Sequence, residues 1–375
     1  MQIGVVKETF SGEKRVAFIP SSVDRLVKKG AQVAVESGLG ETIGVSDDEY
    51  KKAGAILMNR KDVLSSSDMI LRVRKPPAEE INLLKKGAIH ISFLDPFNEK
   101  SLVNTLAQNQ ISALSMEMIP RTTRAQKMDA LSSQANLAGY VTVIIAAERQ
   151  NRIFPMLMTP AGTISPLRVF IIGAGVAGLQ AIATARRLGA RVEAFDTRPV
   201  VKEQVQSLGA KFIEMDLGET GQTKDGYAQA LTPEQMEKQR QGMARVCANS
   251  DIVITTAQLF GRRAPIVLTK DMVALMKPGS IIIDMAVESG GNVEGSTLNE
   301  EILVNGVRII GPGNLPGRVA VNASQMYSSN LTNLLEEFWN KDEKAFKLNL
   351  DDEIIKGCLV THQGRIVNDM VKNKS

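Results

Sequence analysis

A glycine-rich turn between a strand and a helix constrains this fold more than any other feature of the chain. Residues 173–178 read Gly-Ala-Gly-Val-Ala-Gly, follow the apolar run Val169–Ile172 and open the helical pattern Val176–Leu188. The first glycine permits a sharp turn, the second lets a pyrophosphate approach the backbone, and the third lets helix and strand pack closely. The free N–H groups at the helix start attract phosphate. The motif therefore predicts a dinucleotide-binding α/β unit.

An acidic residue at the end of the next strand strengthens this prediction. Asp196 follows the run Arg191–Phe195, and a carboxylate there can accept hydrogen bonds from the hydroxyls of an adenosine ribose. The 2′-phosphate of NADP would place like charges about 4 Å apart, at a cost on the order of 4 kcal/mol per charge pair. Arg198 would offset part of that cost. We predict that the chain prefers NAD(H) to NADP(H).

Apolar runs alternate with helical patterns on both sides of this motif, which is typical of parallel sheets with helical crossovers. The strands predicted before the motif are Ile3–Val6, Val33–Glu36, Met69–Val73, Ala88–Phe93 and Ile111–Leu114. The strands predicted after it are Arg191–Phe195, Lys211–Ile213, Ile252–Thr255, Ser280–Asp284 and Val307–Ile310. The fold class predicted is α/β, with two Rossmann-like, doubly wound parallel-sheet domains.

Two long helical patterns, Met128–Glu148 and Ala323–Trp339, bracket the second series of strands. A length of 375 residues is enough for two to three domains at about 150 residues each. We therefore expect long helices to join the domains and the first domain to be discontinuous. The predicted limits are 1–131 plus 322–375 for the first domain and 132–321 for the nucleotide-binding domain. The tail from Lys341 onward shows few strand signals.

A polar, glycine-containing segment at about 216–242 interrupts the second series. Loops longer than about 12–15 residues inside compact domains are usually functional or disordered. We expect Thr232–Arg245 to be helical, with Thr232 as the N-cap and Pro233 at the first helical position. The first half, Glu219–Ala230, is predicted to be a mobile loop. A tolerated surface insertion is the alternative interpretation.

Polar groups of several kinds gather just before the first long helix. Arg121, Gln126, Asp129 and Ser132 lie within twelve positions, and the spacing of the last three puts them along one face of a turn and helix. These residues are candidates for orienting a ligand. A capped helix start with solvated polar groups is the alternative.

Composition excludes several classes of function. A net charge of +4 without a long basic block argues against nucleic-acid binding. Two isolated cysteines, Cys247 and Cys358, and only two histidines make a metal site improbable. The uncharged stretch Val169–Ala185 is shorter than the roughly 20 residues of a spanning helix, and the N-terminus lacks the features of a signal peptide. We therefore expect a soluble chain with no metal and no nucleic-acid partner.

The chain resembles the NAD(H)-binding component of the proton-translocating nicotinamide nucleotide transhydrogenases, in the form made as a separate soluble alpha subunit, with alanine dehydrogenase as the fold-level relative. The segments that carry the resemblance span nearly the whole chain: Arg15–Pro20, Arg121–Tyr140, Thr159–Thr163, Gly173–Ala185, Lys202–Ile213, Asp251–Gln258, Ile283–Glu288 and Gly311–Leu334.

The resemblance implies a function and a set of partners. NADH bound to this chain would pass a hydride directly to NADP⁺ on a partner subunit, and membrane-spanning subunits would couple the transfer to proton translocation. It also implies a homodimer in the cytoplasm, held peripherally at the inner face of the membrane through its partners. No second dinucleotide fingerprint occurs, since Pro312 and Pro316 make Gly311–Gly317 a better loop than a helix start. NADP(H) is therefore expected on the partner.

Residue roles follow from the same resemblance. Arg121, Gln126 and Asp129 match the family loop that orients the nicotinamide, and Ser132 lies close by. The implied NAD(H)-binding residues are Gly173, Ala174, Gly175, Val176, Gly178, Asp196, Thr197, Arg198, Gly226, Tyr227, Gln239, Ala257 and Gln258. Of these, Gly226 and Tyr227 match a mobile loop that closes over NADH.

An alanine dehydrogenase-like activity is the alternative, and it requires proton transfer at the substrate. That family has a Lys and a His where this chain has Arg74 and Asp95, and an Asp where this chain has Glu288. An Arg cannot easily exchange the proton of that Lys, because its pKa is above 12. The amino-acid site is therefore predicted to be lost. A non-catalytic nucleotide sensor is a third hypothesis.

Overall fold

The computed structural model describes residues 1–218 and 231–373 and divides the chain into two compact units. Unit 1 comprises Met1–Gln134 and Pro316–Ser375, and unit 2 comprises Ala135–Leu315. The domain limits predicted from the sequence differ from these limits by a few residues and stay a prediction. The first half of the segment predicted to be mobile, 219–230, lies outside the described residues.

The N-terminal portion of unit 1 alternates strands and helices. Its elements are β1 (Gln2–Val5), α1 (Pro20–Val27), β2 (Gln32–Glu36), α2 (Asp47–Lys52), β3 (Ile56–Met58), α3 (Arg60–Ser66), β4 (Met69–Leu71), α4 (Ala78–Ile81), β5 (Ile89–Ser92), α5 (Lys100–Gln108) and β6 (Ser112–Ser115). The strands run parallel in the order β3-β2-β1-β4-β5-β6. Every side chain of β4, β5 and β6 is buried, as expected for a parallel sheet covered on both faces.

Unit 2 is wound in the same way. The long helix α6 (Ala130–Arg149) leads into it, followed by β7 (Leu157–Thr159), β8 (Gly162–Ile164), β9 (Arg168–Ile172), α7 (Val176–Arg187), β10 (Arg191–Phe195), α8 (Lys202–Ser207), β11 (Lys211–Phe212), α9 (Pro233–Ala248), β12 (Ile252–Thr255), α10 (Lys270–Ala274), β13 (Ile281–Asp284), β14 (Glu301–Val304) and β15 (Val307–Ile310). The sheet order is β11-β10-β9-β12-β13-β15-β14, with β14 antiparallel. The order reverses between β9 and β12, and ligands bind at such a switch point, beyond the carboxyl ends of the strands.

The C-terminal portion of the chain completes unit 1. It contains α11 (Ala320–Glu337), β16 (Trp339–Asn340), β17 (Ala345–Phe346), α12 (Glu353–Cys358), β18 (Leu359–His362), β19 (Arg365–Ile366) and α13 (Asp369–Lys372). Strand β18 pairs antiparallel with β6 and so extends the eight-stranded sheet. The expectation of few strands in this tail was wrong, because strands of two to four residues are too short to show a periodic pattern.

The predicted α/β class with two doubly wound sheets is confirmed. The N-terminal cap of α9 is also confirmed, since the Thr232 hydroxyl accepts a hydrogen bond from the backbone N–H of Gln235 and Pro233 opens the helix. Sequence patterns missed the small elements β3, α3 and the β7–β8 hairpin.

Helix α6 differs from the other helices in its apolar character. It is 20 residues long with a mean hydropathy of 1.3 over an 18-residue window, half of which is buried within the protein. Among the described residues it is the one helix that could cross a membrane by length and composition, a test that the core helix of a soluble protein also passes. The stretch Val169–Ala185, considered in the sequence, is instead divided between β9 and α7.

Candidate functional site

The glycine-rich turn lies at the switch point of unit 2, as the motif predicts. Gly173 has a φ of +100°, a conformation that favours glycine. A Cβ on Gly178 would lie 1.9 Å from the Gly173 carbonyl oxygen, so only glycine permits this approach of helix to strand. A Cβ on Gly175, in contrast, would meet nothing within 4 Å. The backbone at Gly175 therefore faces open space, and the turn fits a pyrophosphate.

A second turn, after β12, lies against the first. The hydroxyl of Thr256 donates to the carbonyl oxygens of Ile172 and Gly173, at 3.2 and 3.1 Å. The predicted residue Ala257 is held by Asn292, whose side chain accepts from the Ala257 N–H at 3.0 Å and donates to its carbonyl oxygen at 2.8 Å. The turn that carries Ala257 is thus fixed against the glycine motif.

A buried carboxylate that was not predicted from the sequence positions Asn292. Asp284 is fully buried and accepts hydrogen bonds from the backbone N–H groups of Ala286, Asn292 and Val293 at 2.9–3.1 Å. A Cβ on Gly291 would lie 2.9 Å from that carboxylate. An acidic residue that ends a strand and is followed by a Gly-Gly-Asn run was the available signal.

Asp196 lies at the carboxyl end of β10 with its carboxylate 7% exposed. Oxygen Oδ2 accepts from the Ala174 N–H at 2.7 Å and from Arg198 Nη2 at 2.8 Å. Oxygen Oδ1 accepts from the backbone N–H and Nε of Arg198, at 2.8 and 2.9 Å. The hydrogen bonds to Asp196, together with its charge, raise the pKa of Arg198. The acidic residue predicted to meet the ribose is therefore joined to the glycine turn and to a guanidinium.

The remaining predicted binding residues are more dispersed. Val176 opens α7 and is 40% exposed, and Thr197 is half-buried beside Asp196. The side-chain amide of Gln258 reaches the Met285 carbonyl oxygen at 3.5 Å. Gln239 lies on α9, where its amide is 4.0 Å from the sulfur of Met243. Gly226 and Tyr227 lie outside the described residues.

In unit 1, the polar group before α6 forms a capped helix start. The Asp129 carboxylate accepts from the backbone N–H of Ser132 at 2.9 Å and from its hydroxyl at 2.6 Å, which is N-capping geometry. Gln126 lies on the preceding 3₁₀ turn with its side chain exposed, and Arg121 is also exposed. The structure thus brings Asp129 and Ser132 together and leaves the Gln126 amide at the surface.

Two asparagines of α11, which no sequence pattern indicated, hold this loop. The side-chain amides of Asn330 and Asn333 donate to the Lys127 carbonyl oxygen at 3.0 and 2.9 Å. The Asn330 oxygen accepts from the Ser133 hydroxyl at 2.7 Å. The backbone on both sides of Asp129 is therefore fixed.

A buried charge cluster occupies another region of unit 1. The side chain of Glu13 is fully buried and accepts from Arg15 Nε and Nη2 at 2.8 and 2.7 Å and from Arg74 Nε at 2.9 Å. Burial alone would raise the pKa of Glu13, but the hydrogen bonds and charge of Arg15, together with the charge of Arg74, lower it to about 2. Arg74 also stacks over the ring of Phe10, 4.8 Å from its centroid. The Arg74 guanidinium is thus held within the protein by Glu13 and the ring of Phe10.

Asp95 adopts a left-handed backbone conformation, with a φ of +51°. The carboxylate of Glu117 accepts from the backbone N–H groups of Leu94 and Asp95 and fixes this turn. Burial raises the pKa of both carboxyl groups. Among residues 1–218 and 231–373, no three His, Cys, Asp or Glu side chains are grouped to hold a metal ion.

Two family models match the chain. The family model described as Alanine dehydrogenase/PNT, N-terminal domain, matches residues 4–138, and the one described as Alanine dehydrogenase/PNT, C-terminal domain, matches residues 142–369. The chain is 44% identical over 376 residues to the first portion of the NAD(P) transhydrogenase subunit alpha of Rhodospirillum rubrum, covering 98% of each chain.

Two solved structures are similar over their whole length. A transhydrogenase from Sinorhizobium meliloti superposes with a TM-score of 0.88 at 45% identity, covering 98% of this chain and 100% of that chain. An L-alanine dehydrogenase superposes with a TM-score of 0.83 at 27% identity, covering 100% and 99%. Identity is therefore higher toward the transhydrogenases than toward the amino-acid dehydrogenase.

The glycine turn generates a matched pair of predictions. Gly178→Ala should lower the free energy of unfolding by about 1–3 kcal/mol, because its Cβ would overlap a backbone carbonyl. Gly175→Ala should change it by less than about 0.5 kcal/mol while weakening NADH binding, because the added methyl fills the open space over the turn. Urea denaturation and NADH fluorescence titration measure both quantities. Equal destabilisation by the two variants would contradict the proposed division of roles.

The lowered pKa of Glu13 predicts that the stability of the fold depends on pH. Its pKa of about 2 lies below its ordinary value of 4.5, so the ionised carboxylate stabilises the fold fully above pH 4.5, and this stabilisation is lost as pH falls toward 2. The effect is worth roughly 3 kcal/mol. The advantage of wild type over Glu13→Gln in urea unfolding should shrink between pH 5 and pH 2. The exposed control Glu343→Gln should show no such trend, and parallel curves for wild type and Glu13→Gln would refute the assignment.

Proposed function

The chain belongs to the alanine dehydrogenase/PNT family, and we propose that within it the chain is the NAD(H)-binding subunit of a proton-translocating transhydrogenase. NADH bound here would donate a hydride directly to NADP⁺ held on a partner subunit, which yields NAD⁺ and NADPH. The observation that carries the proposal is the glycine turn at the switch point of unit 2, joined to Asp196, in a chain similar along its whole length to a transhydrogenase alpha subunit.

The residues of unit 2 support binding of the adenosine diphosphate half of NAD(H). The N–H groups at the start of α7 would bind the pyrophosphate over Gly175, where a Cβ would meet no other atom. Asp196 would bind the adenosine ribose, and its negative charge favours NAD(H) over NADP(H). Gln239, Gln258 and the loop with Gly226 and Tyr227 complete the proposed set.

The residues of unit 1 support an orienting role for the loop Arg121–Ser132. Transfer between two nicotinamide rings changes the protonation of no heteroatom, so it needs proximity and orientation rather than a general acid. Fixed backbone around Asp129 and an exposed amide on Gln126 suit this requirement. Arg121, Gln126, Asp129 and Ser132 are therefore the proposed catalytic residues.

The second glycine-rich segment supports placing NADP(H) on a partner. A Cβ on Gly311 would lie 2.3 Å from the Thr297 carbonyl oxygen, so this glycine is needed for packing. The Gly313 N–H donates to the Asn299 side chain at 3.0 Å. The segment continues into the 3₁₀ turn Leu315–Val319, and α11 begins only after that turn, at Ala320. This segment lacks the features of a phosphate-binding turn.

An alanine dehydrogenase-like activity is the second candidate, favoured by the overall similarity to an L-alanine dehydrogenase structure. Two positions oppose it. Arg74 stands where that family has a Lys and is bound to Glu13, and Asp95 stands where it has a His. Of the two, Asp95 carries a carboxyl group in place of an imidazole, and burial raises the pKa of that carboxyl.

The hairpin β7–β8 supports the proposed homodimer. It forms a separate two-stranded sheet, and the apolar side chains on it or directly before it are 46–73% exposed: Met156, Leu157, Met158 and Ile164. An isolated hairpin is marginally stable, and exposed apolar side chains of this kind mark association sites. A second copy of the chain would cover them.

We propose a cytoplasmic location, with attachment to the membrane through partner subunits.

Gln126 provides a test of the orienting role. Gln126→Asn should slow hydride transfer by about tenfold or more, since a small misplacement of reacting atoms costs up to about a hundredfold, while the dissociation constant for NADH stays within about twofold. The measurement is a stopped-flow mix of the NADH-loaded chain with an isolated NADP⁺-loaded transhydrogenase domain. Gln108→Asn, on the exposed face of α5, is the matched control and should keep the wild-type rate.

The stopped-flow assay, combined with an assay of L-alanine oxidation, separates the three functional hypotheses. A transhydrogenase subunit transfers hydride when the NADP domain is added and does not oxidise L-alanine. An amino-acid dehydrogenase reduces NAD⁺ with L-alanine in the absence of that domain. A nucleotide sensor binds NADH but transfers nothing in either assay. Robust alanine oxidation by the purified chain would overturn the proposal.

The dimer is tested at the hairpin. Met158→Asp places a charge on a side chain that is 73% exposed, so it should halve the mass found by light scattering at micromolar concentration and leave NADH affinity unchanged. Met370→Asp, 52% exposed on α13, is the control and should remain dimeric. A wild-type mass for both variants would remove the hairpin from the interface.

A further inference from the structure

The carboxylate of Asp196 already has a full set of hydrogen-bond donors. An ionised carboxylate offers about four acceptor positions, and four protein donors occupy them here: two on Oδ1 and two on Oδ2. Three of the four belong to Arg198, and two of those three come from its guanidinium. Ribose hydroxyls that bind to Asp196 must therefore displace a donor that is present.

The four donors differ in how easily a ligand can displace them from the Asp196 carboxylate. The N–H groups of Ala174 and Arg198 belong to the backbone and stay in place as long as the glycine turn and the end of β10 keep their shape. The guanidinium of Arg198 is attached by a flexible side chain and is 15% exposed. The two backbone donors hold the carboxylate in position when the guanidinium moves away. The exchangeable partner of Asp196 is thus the Arg198 guanidinium.

We propose that Asp196 and Arg198 act as one specificity-determining pair. Ribose hydroxyls compete with the Arg198 guanidinium for the Asp196 carboxylate. The carboxylate in turn competes with a 2′-phosphate for the guanidinium. This inference rests on the proposed binding of NAD(H) to unit 2. The bidentate pair keeps Arg198 from serving a 2′-phosphate, which is what an Arg at this position of the fold otherwise does. NAD(H) preference then depends on the pair and not on the carboxylate alone.

Substitutions of Asp196 and of Arg198 should change the affinities for NADH and NADPH in different directions. Asp196→Asn frees the guanidinium and removes the like charge, so the affinity for NADPH should rise on the order of tenfold and the affinity for NADH should fall. Arg198→Ala removes the competitor of the ribose hydroxyls, so the affinity for NADH should rise severalfold and the affinity for NADPH should fall. In the double variant Asp196→Asn, Arg198→Ala, the gain for NADPH should fall to the part that comes from loss of the like charge.

The experiment is a fluorescence titration of the full chain with NADH and with NADPH, with thermal unfolding to verify the fold. Arg198→Lys keeps the charge but not the bidentate geometry; its NADH affinity should lie between those of wild type and Arg198→Ala, and it serves if the alanine variant fails to fold. Asp251→Asn is the matched control, because Asp251 forms an ion pair with Arg152 at the opposite end of the sheet of unit 2. It should leave the ratio of the two affinities unchanged.

Each outcome decides between the alternatives. A gain in NADPH affinity for Asp196→Asn that depends on Arg198 supports the pair. No gain, a gain of the same size in the double variant, or weaker NADH binding by Arg198→Ala or Arg198→Lys overturns it while leaving NAD(H) binding by the chain intact. Failure of the wild-type chain to bind NADH would instead overturn the proposed function itself.

Discussion

The contact between the start of α7 and the end of β9 shapes the proposed nucleotide site of unit 2. It requires that Gly178 carry no side chain, because a Cβ there would lie 1.9 Å from the Gly173 carbonyl oxygen. That same carbonyl accepts a hydrogen bond from Thr256, which joins the turn after β9 to the turn after β12. One steric constraint therefore sets the direction of α7 and the spacing of the two turns. The proposed contacts with pyrophosphate and ribose depend on both.

The features of this site that are local in sequence were predictable, and those that depend on distant partners were not. The spacing of the glycines at 173–178 and of Asp196 indicated their place in the fold. Asn292, in contrast, holds Ala257 from 35 positions away, and Asn330 holds the Lys127 carbonyl from 203 positions away. A single asparagine carries no periodic signal. The short strand β18 was missed for a related reason, since its place in the sheet is set by pairing with β6.

The buried charges of unit 1 bear on the distinction between hydride transfer and amino-acid chemistry. A carboxylate as buried as that of Glu13 stays ionised because Arg15 and Arg74 surround it. Removing one partner of such a cluster leaves an uncompensated charge, which is strongly destabilising. Arg74 therefore combines two properties that suit a structural cation: a planar guanidinium that forms directed hydrogen bonds and a fixed partner. A Lys at the same position would titrate more readily when buried.

The requirements of the proposed reaction fit the contacts made by the polar groups of the loop Arg121–Ser132, for which an orienting role is proposed. Direct transfer between two nicotinamide rings gains from a rigid scaffold, because orientation is the contribution that the protein can supply. The Asp129 carboxylate caps α6 through Ser132, and two asparagines of α11 hold the preceding turn. Both sets of contacts reduce backbone freedom around Gln126. In the proposed active site, a fixed main chain would let the exposed amide of Gln126 meet its ligand in one orientation.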